Sequence, residues 1–384
     1  MSIKNFEINV SDDLLNDLKY RLIHNRWPDQ YKNIEWEYGT NQEYLKSLIT
    51  YWIEEYDWKK QEQKLNQYHH YISSINGLDI HFIHEHGKGP NPIPIILTHG
   101  WPDSFLRYEK IIHYLTDPAK YGGNPNDSFD VIIPSLPGFG FSEKPTNSGM
   151  NNSVIANIWA SLMQDVLGYH KYAASGGDIG SGVTRYLAYS HPDSLIGIHL
   201  TDIGIIKQLL SNNMRDTVSD EERNYISESQ KWLSTEGAYI SLQSTKPQSL
   251  SYGLADSPVG LAAWIIEKFQ SWSDCNGNLH TKFSEDELLT NIMIYWVTNT
   301  IDSACRIYYE NTHSLPQIGP IQVPTGISLF SKDIMTPPKK WVLDNLNVTS
   351  WSVIPKGGHF TAMEEPELFV NEIRNFFRPY RELV

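Results

Sequence analysis

The apolar positions of this chain change their period near residue 71. Before that point they recur at helical spacing. Leu14, Leu15, Leu18 and Leu22 share one helix face, and Leu45, Leu48, Ile49, Trp52 and Tyr56 share another. Ser11, ahead of Asp12 and Asp13, supplies an N-cap and an acidic first turn, which the positive end of the helix dipole favours. The N-terminal region is therefore expected to be helical and not strand-forming. After residue 71, short apolar strands alternate with helices. Leu78–Ile83 alternates, while Ile95–Thr98, Phe129–Ile133, Lys171–Ala174, Gly197–Leu200, Thr325–Phe330 and Ser350–Ile354 read as strands. Ile155, Ile158, Trp159, Leu162 and Val166 mark one intervening helix, and Val183–Ala188 another. This rhythm predicts an α/β architecture with a mainly parallel sheet covered on both faces. Residues 204–310 break it. They begin polar and helical, with Ser219 capping an acidic turn at Asp220–Glu222, and then become rich in aromatics. Three parts are expected: an extension over 1–90 packed on the core, a core of 91–203 and 311–384, and a helical lid over 204–310 above the sheet edge where ligands bind in open α/β sheets.

Composition narrows the classes. The 384 residues carry a formal charge of −14, which speaks against a nucleic-acid partner. No apolar run reaches the roughly 18 residues of a membrane span, and Met1–Glu7 lacks an apolar signal core. The two cysteines, Cys275 and Cys305, cannot form a multi-bridge framework, so a reducing, cytoplasmic setting is expected. Asn151-Asn152-Ser153 and Asn347-Val348-Thr349 match the glycosylation pattern, but such tripeptides arise often by chance.

Candidate chemistry centres on Ser175-Gly176-Gly177-Asp178-Ile179-Gly180, which lies between a predicted strand and a predicted helix. In the nucleophile elbow of an α/β-hydrolase a serine usually stands where this chain has Asp178. A carboxylate there attacks an sp3 carbon and leaves an ester containing the enzyme's own carbonyl. Asp333 follows the strand ending at Phe330, and His359 sits in Gly357-Gly358-His359-Phe360 after the last strand. Nucleophile, acid and histidine thus occur in the chain order of that fold, with Asp333 able to orient His359 and His359 able to activate water. His99-Gly100-Trp101-Pro102 follows another strand, so the N–H groups of Trp101 and Ile179 could form an oxyanion hole, with Phe139 and Trp101 lining the pocket.

With these motifs the chain resembles an epoxide hydrolase of the microsomal type, an α/β-hydrolase with an N-terminal extension. The likeness extends to Trp36-Glu37-Tyr38-Gly39, Phe82-Ile83-His84, Ser244-Thr245-Lys246-Pro247 and Asp256–Leu261, and so runs nearly end to end. It implies that two lid tyrosines hold the epoxide oxygen, Tyr239 in Gly237-Ala238-Tyr239-Ile240 and Tyr308, with adjacent Tyr309 as the competing choice for the second. The chain departs from relatives that carry Trp after the nucleophile, Glu at the triad acid, or a membrane-anchoring helix; here Ile179 and Asp333 stand at the first two positions. The implied activity is conversion of a lipophilic epoxide and water to a vicinal diol, which needs neither metal nor organic cofactor. The rivals are a haloalkane dehalogenase or another Asp-nucleophile hydrolase, and a non-catalytic ligand-binding protein on the same scaffold. Ile179 offers no halide-holding side chain, and a tyrosine pair suits an oxygen leaving group. Oligomeric state stays open, a homodimer included.

Overall fold

The computed structural model describes residues 2–203 and 219–384. One nine-stranded sheet organises it: β1 (Ile3–Phe6), β2 (His70–Ile75), β3 (Leu78–Glu85), β4 (Ile93–Thr98), β5 (Phe129–Pro134), β6 (Tyr172–Gly176), β7 (Leu195–Leu200), β8 (Ile321–Phe330) and β9 (Leu346–Ile354). Their spatial order is β1-β2-β3-β5-β4-β6-β7-β8-β9. The β1, β2, β3 and β5 pairings are antiparallel, and every pairing from β5 through β4 to β9 is parallel. This is the α/β-hydrolase arrangement expected from the sequence. Strands β4 to β7 are buried at every position, which explains their predominantly apolar sequences: helices cover both faces.

Two details correct the sequence reading. The N-terminus is not purely helical, because Ile3–Phe6 forms an edge strand paired with β2. Four residues, three of them exposed, carry too little pattern to register as a strand. Strands β2 and β3, assigned to the extension, are also members of the same sheet, so a boundary at residue 90 divides strands that hydrogen bonding unites. The extension's helices lie where the pattern put them, over Asp12–Ile23 and Gln42–Glu54, with Ser11 accepting from the Leu14 N–H. Asn151 is buried as the N-cap of helix Asn152–Ser161, which closes the first glycosylation-like tripeptide. Both cysteines are buried and free.

The lid begins, among the described residues, at helix Asp220–Thr235, where Ser219 and Glu222 form a capping box. Residues 204–218, which the sequence reading also gave to the lid, lie outside the described residues. Helices Ala238–Thr245, Pro247–Asp256, Pro258–Trp272, Glu285–Thr298 and Ile301–His313 follow, the last running three residues beyond the expected limit of 310. None of the described helices is long and apolar enough to cross a membrane.

The segment joining β1 to the first helix is held by side chains that imitate a strand partner. Asn66 donates to the Ile8 carbonyl and accepts from its N–H, both at 2.9 Å. The Glu62 carboxylate accepts from the Val10 N–H at 2.7 Å and from Trp58 Nε1 at 3.0 Å. Replacing Glu62 by Ala strands both donors in a dry site. We expect this to cost about 2–4 kcal/mol and to lower the thermal unfolding midpoint by several degrees in calorimetry.

Candidate active site

Strand β6 delivers the chain to Asp178, whose backbone sits at φ 56° and ψ −127° immediately before helix Ile179–Ser190. A side chain other than glycine is strained there, and the strain lifts the carboxylate above the sheet edge. The turn is possible because its neighbours lack side chains. A Cβ on Gly180 would stand 1.9 Å from the Thr98 carbonyl oxygen, and one on Gly100 would stand 2.3 Å from Asp178 Oδ1.

Three further strand-end loops assemble around this carboxylate. After β4, the Trp101 N–H donates to Asp178 Oδ1 at 2.9 Å. Ile179 is the first residue of the elbow helix, so its N–H has no partner within the helix and belongs to the positive end of the dipole. From the loop after β9, His359 Nε2 lies 3.4 Å from Asp178 Oδ2, with no closer polar partner. On its other side, His359 Nδ1 lies 2.8 Å from Asp333 Oδ1, and Asp333 comes from the loop after β8. The three predicted acid–base residues are thus brought together. Burial favours the neutral His359 ring, but the Asp333 and Asp178 carboxylates outweigh it and raise its pKa to about 10.

The lid closes the site with aromatic rings. Tyr239 stacks on Trp101 at 5.3 Å and 11°, and Tyr308 meets Trp101 edge-on at 5.8 Å and Tyr239 at 5.9 Å. Trp272 packs on Tyr239 at 5.1 Å and on His359 at 5.3 Å. Burial first, and the Asp178 charge second, hold both phenols well above their usual range, so they stay protonated donors. Tyr309 is 40% exposed and stacks on His313, away from these rings. Phe139 is wholly buried, and its ring packs on His99 and Tyr295.

Several residues the sequence reading passed over hold this geometry. Asp103 and Arg107 form a wholly buried ion pair. Burial alone would raise the Asp103 carboxyl, but the Arg107 charge brings it down to about 2. Asp103 accepts from the Gly100 N–H at 2.8 Å, and Arg107 donates to the His359 carbonyl at 2.6 Å. Glu364 accepts from the N–H groups of Asp274, Gly358 and Phe360, and the His359 N–H donates to the Trp272 carbonyl. Only the i, i+4 spacing of Asp103 and Arg107 was visible beforehand, and that spacing is common on any helical turn. Among the described residues, the one group of side chains able to meet at a metal ion is His84, His86 and Asp130, on the antiparallel side of the sheet.

Sheet order, elbow and strand-end triad together define an α/β-hydrolase, and residues 93–366 match the α/β-hydrolase fold family model. Residues 3–108 match a second model, the epoxide hydrolase N terminus. The chain is 39% identical to Epoxide hydrolase 1 of Oryctolagus cuniculus over 98% of its own length and 88% of that protein. Juvenile hormone epoxide hydrolase from the silkworm Bombyx mori superposes with a TM-score of 0.89 at 32% identity, covering 100% of this chain and 95% of the other. The Aspergillus niger epoxide hydrolase gives 0.83 at 29%, covering 100% and 97%. The chain belongs to the epoxide hydrolase family, in its microsomal type, and is an epoxide hydrolase acting on a small-molecule epoxide.

The raised His359 pKa has a defined sign. Its pairing stabilises the fold fully below the free-histidine value of about 6.5 and is lost as pH rises through about 10. Asp178→Asn removes one of the two supporting charges. Histidine ring signals followed by NMR should show His359 titrating at least about one unit lower in that variant.

Proposed function

We propose that this hydrolysis proceeds through a covalent ester on Asp178. In the first step Asp178 Oδ2 attacks an epoxide carbon while Oδ1 stays on the Trp101 N–H. The carbon–oxygen bond of the ring breaks and its electrons go to the epoxide oxygen, which takes a proton from Tyr239 or Tyr308. An alkoxide is far more basic than a phenolate, so the transfer is downhill even from a phenol with a raised pKa. In the second step water gives a proton to His359 Nε2 and attacks the ester carbonyl carbon. The oxyanion on Oδ1 is held by the Trp101 and Ile179 N–H groups. Collapse breaks the acyl–oxygen bond, and the leaving oxygen takes the proton from His359. The remaining water proton, on the regenerated carboxyl, passes to His359 and restores the resting imidazolium beside the Asp178 carboxylate.

The observation that carries this reading is the placement of His359. It lies between two carboxylates, with Nδ1 committed to Asp333 and Nε2 directed at Asp178. Esterification then acts on the base itself. Once Asp178 is neutral, only Asp333 supports the imidazolium and burial gains ground, so the ring gives up its proton to the tyrosinate left by the first step, restoring the phenol, and becomes competent to take one from water. The wall of Trp101, Tyr239, Trp272 and Tyr308 supports a lipophilic substrate, with the phenol oxygens as its polar handles. The buried free thiols support a reducing compartment for the protein.

Single turnover in labelled water tests the ester. The label is expected in the Asp178 peptide by mass spectrometry and not in the diol, because the incoming oxygen stays on the enzyme. Label in the diol on the first turnover sinks the mechanism in favour of direct attack by water. His359→Gln should still form the ester but release diol at least about 100-fold more slowly, leaving an adduct of substrate mass on Asp178.

A further inference from the structure

Lys268, on helix Pro258–Trp272, is only 4% exposed, where most lysines lie at the surface. It lies over three rings: 4.9 Å from the centre of Tyr239, 5.7 Å from Trp272 and 6.0 Å from Trp264. Its counter-charge is the neighbouring Glu267, with Nζ and Oε2 2.5 Å apart. Burying an ammonium costs several kcal/mol even when it is paired, and an apolar side chain of similar length would fill the same volume without that cost. Such an expense points to a task for the charge. The nearest ring is that of Tyr239, which also stacks on Trp101 beside Asp178. The other charges acting on this phenol are the carboxylates of Asp178, Asp202 and Glu267, and each of them opposes negative charge on its oxygen. Lys268 supplies the opposite sign, at close range and away from water, where screening is weak.

We infer that Lys268 is a positioning residue for ring opening: its ammonium, held against Tyr239, stabilises the negative charge this phenol takes on as it protonates the epoxide oxygen. The inference rests on the reading of Tyr239 as a proton donor. The effect is confined to the first step, since ester hydrolysis makes no demand on Tyr239. Glu267 keeps the ammonium tolerable inside the protein and partly offsets its field.

Rapid-quench single turnovers with styrene oxide separate the steps, because protein-bound ester and free diol are measured independently. Lys268→Met keeps the length of the side chain and removes its charge; it should slow ester formation about 30-fold. The apparent substrate Kd and the rate of ester hydrolysis should stay within about 3-fold. Lys268→Arg keeps the charge and should retain ester formation within about 3-fold. In a Tyr239→Phe background, Lys268→Met should add no further slowing. The inference is overturned if Lys268→Met leaves ester formation unchanged while Tyr239→Phe slows it. It is equally overturned if the loss spreads over Kd and both steps without rescue by Arg, or if the two substitutions slow ester formation independently. If Tyr239→Phe itself leaves ester formation unchanged, the donor reading of Tyr239 fails and this inference goes with it. Should Lys268→Met not fold, Glu267→Gln carries the test: removing the offsetting anion should speed ester formation, and an unchanged or slower rate refutes the role.

Discussion

The buried ion pair of Asp103 and Arg107 joins every part of the site. Asp103 anchors the Gly100 N–H and so fixes the loop whose next residue, Trp101, holds the Asp178 carboxylate. Its backbone carbonyl accepts from Tyr295 on the lid. Arg107 reaches the carbonyl of His359, and its guanidinium packs so close to Gly177 that a Cβ there would lie 2.7 Å from it. Elbow, oxyanion loop, histidine loop and lid therefore meet on these two residues. Such a pair adds little net stability over an apolar replacement, but losing one partner leaves an uncompensated charge in the interior, at about 3–5 kcal/mol. What it supplies is registry between segments that arise far apart in sequence.

Much of this arrangement could be read from the chain, for identifiable reasons. Strands β4 to β8 announced themselves because they are buried over most of their length and are therefore predominantly apolar. Asp178, Asp333 and His359 stood out because each lies in the loop after a predicted strand, β6, β8 and β9 in turn. Strand β1 escaped because an exposed edge strand owes its existence to its partner, not to its own four residues. Tyr239 and Tyr308 were reached only through family likeness; among 22 tyrosines, helical spacing cannot tell a proton donor from a packing residue. Asp103, Arg107, Glu364 and Lys268 were invisible for another reason. Arg107 and Glu364 act through contacts with His359 and Asp274, far away in sequence, and Lys268 through a ring whose position depends on the whole lid, while the local spacing of Asp103 is common on any helical turn.

Electrostatically the site is a row of alternating charges: Asp333, His359 and Asp178, with neutral phenols facing the last. The histidine is tuned by the nucleophile as much as by the triad acid, so the chemical state of Asp178 controls its proton affinity. A site built in this way needs no conformational change to alternate between an acid resting form and a basic working form. Making and breaking one ester bond is sufficient.

The lid, finally, is not a cover resting on a finished machine. The His359 N–H is held by the Trp272 carbonyl at 2.8 Å, and Gly358 must be glycine because a Cβ there would lie 2.4 Å from that same oxygen. Asn291 and Tyr295 grip the oxyanion loop from above, through the carbonyls of Pro102 and Asp103. For protein engineering this sets a rule about which parts are interchangeable. Transplanting a lid from another member to broaden the range of epoxides also transplants the clamp on the base and on the oxyanion loop. A chimera that keeps the host backbone at residues 272–274 and 291–295, and varies only what lies between and before them, inherits the host's chemistry; one that does not must rebuild it.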